Sequence, residues 1–129
     1  MSKTLLTKGQ TEAAISEAIT KFEKEFMGRG PLETKTYLLD DFIMIRLKGI
    51  LTKAEFRLAG FDKNGKGRDL IKQVRTELIE NNRPIIESII KSITRRKVKS
   101  LHTDISTQSG EKIIVLTLDR PVEVANPPT

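Results

Sequence analysis

Apolar residues recur along this chain with two different spacings, and the change from one to the other marks out its elements. Ile15, Ala18, Ile19, Phe22 and Phe26 return every three or four residues, which puts one stripe on a helix from about Thr7 to Met27. Thr7 and Gln10 stand at the spacing of a capping box at its start. Gly28 closes it, since glycine takes positive φ without penalty and Pro31 cannot continue a helix. Two apolar runs follow, Thr36 to Leu39 and Phe42 to Lys48, and Asp40-Asp41 between them predicts a tight hairpin. Ile43, Ile45 and Leu47 share one face of the second strand. Phe42 and Met44 share the other with Arg46, so that face is only partly dry.

Thr52 and Glu55 repeat the capping-box spacing, and Leu51 with Phe56 has that of a hydrophobic staple. A short helix therefore starts there and ends by Gly60. The helical period resumes near Gly67 and lasts to about Thr94. Its apolar face takes Leu70, Ile71, Val74 and Leu78, then Ile85, Ile86, Ile89, Ile90 and Ile93. Pro84 inside it removes a hydrogen bond and clashes with the preceding turn, which predicts a kink or two abutting helices broken near Asn81-Asn82. A second hairpin pairs Val98 to Thr107 with Lys112 to Leu118 across Gln108-Ser109-Gly110-Glu111. The tail from Pro121, ending Asn126-Pro127-Pro128-Thr129, is expected to fray.

These elements make an α+β domain in the order α-ββ-αα-ββ, an αββ unit used twice. The economical packing is a four-stranded antiparallel sheet with all helices on one face. Residues 1–129 form a single domain with an ordered core over about 7–120. The uncovered face carries Phe42, Met44, Ile113 and Val115, an apolar patch of the kind that marks an interface, and a homodimer is expected. A break at Pro84 would also splay Ile85, Ile89 and Ile93 outward for a partner subunit.

Composition narrows the function. There is no Cys and one His, His102, which excludes disulfides, thiolate nucleophiles and zinc ribbons; no metal or other cofactor is expected. Met1-Ser2-Lys3-Thr4-Leu5-Leu6 lacks the apolar core of a signal peptide, and no run approaches the ~20 apolar residues of a membrane span. The expected location is cytoplasmic, peripheral to the inner face of the membrane. A formal charge of +6 and a pI near 9.7 favour an acidic partner, although 23 basic and 17 acidic residues are interspersed.

The chemistry-bearing candidates are few. Gly60-Phe61-Asp62-Lys63-Asn64-Gly65-Lys66-Gly67 approaches a phosphate-binding loop, but Gly67 replaces the magnesium-holding hydroxyl and the loop follows a helix where the motif needs a strand. It also resembles the start of a calcium loop, yet Gln73 offers no bidentate carboxylate. Arg29 sits on a stiff corner between Gly28 and Gly30, where it adds little to folding and suits an anion or partner. Arg68, Lys72 and Arg75 recur at helical spacing opposite the apolar stripe and make a second anion- or partner-binding set near a helix N-terminus. Arg95, Arg96, Lys97 and Lys99 are the residues of a nucleic-acid alternative, though cations there also complement a helix C-terminus. With 5% aromatics, no Trp and no RNA-binding signature, nucleic acid is not the expected partner. His102 and Asp104, two apart on a strand, share a face and give a third reading, a small hydrolase or isomerase.

Gly28-Arg29-Gly30-Pro31, Asp41 leading into Leu47-Lys48-Gly49-Ile50-Leu51-Thr52-Lys53-Ala54-Glu55, Gly67-Arg68, Asp104-Ile105-Ser106 and Leu116-Thr117-Leu118-Asp119 occur in that order. In this combination the chain resembles the MpsC-like family from about Gln10 to Arg120, a group of small bacterial domains named for a sodium-translocating, membrane-potential-generating system. The resemblance implies a non-enzymatic accessory or regulatory role beside a membrane cation or bicarbonate transport complex, and it implies no catalytic residues.

Overall fold

Both capping boxes form. Thr7 N donates to Gln10 Oε1 at 2.9 Å and Gln10 N to Thr7 Oγ1 at 3.1 Å, starting helix α1 (Lys8–Phe26). Thr52 N donates to Glu55 Oε1 at 3.0 Å and Glu55 N to Thr52 Oγ1 at 3.1 Å, starting α2 (Lys53–Phe61). Two orphan donors are satisfied at each start, so local sequence alone fixes where these helices begin. Met27 caps α1 and Gly28 follows at φ 93, as its position after the helix requires. The computed structural model describes residues 5–126 except Asp62, and of Phe61 the backbone alone. The glycine loop's Asp62, Met1 to Thr4 and Pro127 to Thr129 lie outside the described residues.

The long helical stretch is two helices, α3 (Lys66–Asn81) and α4 (Arg83–Thr94), with Asn82 between them and Pro84 in the first turn of α4, where its missing N–H costs nothing. Strands β1 (Glu33–Leu39), β2 (Phe42–Lys48), β3 (Val98–Ile105) and β4 (Lys112–Leu118) form one antiparallel sheet in the order β1-β2-β4-β3. The second hairpin leaves its strand earlier than the alternation implies: Ser106 and Thr107 belong to the turn, where Ser106 O accepts from Gly110 N. The two hairpins meet through β2 and β4 at the sheet centre, and α1 packs against α4.

The core lies between the sheet and the helices. Ile15, Ile19 and Phe22 of α1 and Ile86 and Ile90 of α4 are buried, as are Ile43, Ile45, Ile114 and Leu116 from the central strands. Three expectations are corrected. Helix α3 turns Gly67, Ile71, Arg75 and Ile79 inward and leaves Leu70 and Val74 about half exposed, at 52% and 50%, so its buried stripe is rotated from the one read by periodicity. Helix α4 does not splay: Ile85, Ile89 and Ile93 pack on the core, because Pro84 occupies a helix start and bends nothing. The tail to Asn126 is not frayed, since Val122 N donates to Asp40 O at 3.1 Å and Ala125 N to Leu6 O at 2.8 Å.

Candidate functional site

The link from β2 to α2 gathers two of the candidate arginines. Arg29 is exposed, yet its Nη1 donates to Leu51 O at 3.0 Å. Arg75 Nη2 donates to the neighbouring carbonyl, Ile50 O, at 3.2 Å. Arg75 also clasps Glu55, with Nε at 3.1 Å and Nη2 at 2.9 Å from Oε2. Burial works to raise the Glu55 carboxyl, but the Arg75 and Thr52 hydrogen bonds and the Arg75 charge outweigh it and hold the group below the usual carboxylate range. Arg75 is thus buried and held through Nε and Nη2. It ties α3 to the start of α2 and is not part of an exposed basic face.

Arg68 and Lys72 do stay near the surface. They line an open groove of about 430 Å³ between the start of α3 and the β3–β4 turn, together with Asp104, Ser106, Gln108 and Glu111. Lys72 Nζ lies 3.2 Å from Asp104 Oδ1, which also accepts from Ile105 N at 2.8 Å. That backbone hydrogen bond first, and then Lys72, keep the Asp104 carboxyl below its ordinary value. Glu111 is taken by Arg46 at 2.6 Å. Arg68 has Asp69 at 3.4 Å in an exposed contact. Asp104 is therefore a fixed anion, and His102, exposed on the uncovered side, does not line this groove.

The basic run after α4 divides. Arg95 is exposed and held at φ 60 as the cap of α4, a conformation more often left to glycine or asparagine. Arg96 is buried, donating from Nε to Pro121 O at 2.7 Å and from Nη1 to Arg95 O at 3.2 Å. Lys97 and Lys99 are exposed. With Arg96 turned inward, the continuous four-cation surface expected for nucleic acid is not present.

The most unusual chemistry escaped the sequence reading. Lys112 Nζ donates to Glu23 Oε1 at 2.6 Å, and their side chains are 2% and 0% exposed. Burial lowers the Lys112 pKa, and the nearby Arg75 charge adds to that, while Glu23 opposes both. Glu23 Oε2 accepts no hydrogen bond among the described residues. The signal was present in the chain: Lys112 shares the strand phase of Ile114, Leu116 and Leu118, and Glu23 follows Phe22 and stands four residues after Ile19. Among the described residues no cluster of three metal-ligating side chains forms, and no helix is long and apolar enough to cross a membrane.

Over most of its length the chain is similar to known proteins. Residues 7–120 match the family described as Na+-translocating membrane potential-generating system (MpsC). The chain is 44% identical over 117 residues to an uncharacterised protein, YbcI, of Bacillus subtilis (strain 168), covering 91% of this chain and 92% of the relative. No solved structure matches it. The ordered motifs from Gly28 to Asp119 all fall inside the matched span, and by that match the chain belongs to the MpsC family.

Proposed function

We propose that this chain is a non-enzymatic accessory or regulatory protein that docks, as a homodimer, on the cytoplasmic side of a membrane-potential-generating or cation or bicarbonate transport system. The observation that carries this reading is the groove beside α3. Its two carboxylates are already neutralised by Lys72 and Arg46, and Asp104 is held charged at pH 7, where a general acid or base needs a pKa near the working pH. What the groove presents outward is the Arg68 guanidinium with the hydroxyl and amide groups of Ser106 and Gln108, which suits recognition of an acidic surface. The family description and the net charge of +6 support the same direction. Arg29 remains a secondary contact, with one guanidinium nitrogen already committed to Leu51.

The test is recovery from native membranes by an affinity-tagged chain, with captured proteins identified. Arg68→Ala combined with Lys72→Ala should lower recovery of a transport-system subunit roughly five- to tenfold at physiological salt, the scale of losing two partly screened contacts. Circular dichroism should show the double variant folded. Unchanged recovery would place the docking surface elsewhere, and turnover of a small substrate by the purified chain would replace the reading with an enzymatic one.

A further inference from the structure

The register of the sheet sorts the uncovered face into rows that cross all four strands. Lys35, Arg46, Ile113 and Asp104 stand side by side in one row. Tyr37, Met44, Val115 and His102 form the next. Leu39, Phe42, Thr117 and Ser100 form the third. The middle of this face is apolar, Leu39 is 56% exposed, and among the described residues no helix lies over it. Its first row is charged oppositely at its two ends. Lys35 makes a cation–π contact with Tyr37 at 5.3 Å but no ion pair among the described residues. Among the described residues the hydrogen bonds to Asp104, from Lys72 and Ile105, fall on Oδ1, which leaves Oδ2 to accept from outside.

We infer that a second copy of this chain covers the face, related by a two-fold axis running along the strands. The inference rests on the homodimer proposed above and specifies its geometry. Rotation about an axis along the strands keeps each row at its own height and reverses its direction. Lys35 then lies over Asp104 of the other copy, twice in the dimer, and Met44 lies over Val115. The competing in-plane axis, across the strands, keeps each strand on its own copy but exchanges the first and third rows. It sets Lys35 over Leu39, burying that ammonium on an apolar side chain without a carboxylate, whereas Arg46, which keeps Glu111, meets an apolar residue under either axis. Aligned face-to-face packing of two such sheets, ~10 Å apart, is a common arrangement. Charge complementarity selects the first axis.

The native chain lacks Cys, so single cysteines can report the axis directly. Tyr37→Cys protein mixed with His102→Cys protein should cross-link through a short bis-maleimide, while Tyr37→Cys alone should not. Lys35→Glu should weaken dimerisation roughly tenfold in sedimentation equilibrium, and Lys35→Glu with Asp104→Lys should restore most of it. A chain that stays monomeric at high micromolar concentration overturns the homodimer and the geometry together. A dimer in which Tyr37→Cys cross-links to itself, or which Met44→Glu leaves intact, overturns the geometry and leaves the homodimer standing.

Discussion

A carboxylate and an ammonium taken out of water together, as Glu23 and Lys112 are, each lose several kcal/mol of hydration and recover it only through one another. Removing one partner leaves the other charge stranded. Glu23→Gln should therefore cost about 3 kcal/mol or more in urea denaturation at pH 7. The double variant Glu23→Leu with Lys112→Met should return to within ~1 kcal/mol of the parent, because apolar side chains of similar volume need no partner. In Glu23→Gln the burial that lowers Lys112 acts unopposed by a carboxylate. The unfolded chain then keeps its proton to higher pH than the folded one. Stability of that variant should rise as pH increases from the lowered folded value toward the ordinary lysine range. A variant as stable as the parent, or one whose deficit grows with pH, would show that the pair is not the dominant interaction. The pair also fixes register, since a one-residue slip of β4 would swing Lys112 to the open face and Ile113 to the core.

At the scale of elements, capping boxes and turns were legible because every atom that decides them lies within four residues. The α3 stripe was not. Leu70 and Val74 count as apolar in any periodicity, but the helix was rotated by a neighbour that periodicity does not contain. Gly67 meets α2 so closely that a Cβ there would stand 1.9 Å from the Leu58 carbonyl oxygen. Arg75 meanwhile finds Glu55 and the Ile50 carbonyl on the inner side. Gly67→Ala should therefore destabilise the chain by about 2 kcal/mol or more despite alanine's higher helix propensity, because the obstacle is backbone. Thermal unfolding measures this directly, and a neutral or stabilising result would mean that α2 and α3 can separate at little cost. The same contact explains why Arg75, read as a surface cation alongside Arg68 and Lys72, turned inward.

For the whole molecule, the last described residues act as a strap. Pro121 O receives Arg96 Nε, Val122 joins the edge of the core, and Ala125 pairs with Leu6 and bridges to Thr7 at the start of α1. A chain ending at Arg120 should lose about 1–3 kcal/mol of stability and show a lower unfolding midpoint, since it leaves the buried Arg96 guanidinium short of its carbonyl. An unchanged midpoint would mean that water serves Arg96 as well. The sequence by itself determined the class of the fold, the two hairpins, the break before Pro84, the uncovered face and membership of a family, all of which depend on local chemistry or on ordered motifs. Only the tertiary structure decided which charges are exposed. Arg29, Arg68 and Lys72 stayed outside, Arg75 and Arg96 went in, and Glu23 met Lys112 across 89 residues of chain. A side chain's exposure depends on which distant segment packs against it. Spacing along the chain fixes the face it occupies but not the partner that arrives there.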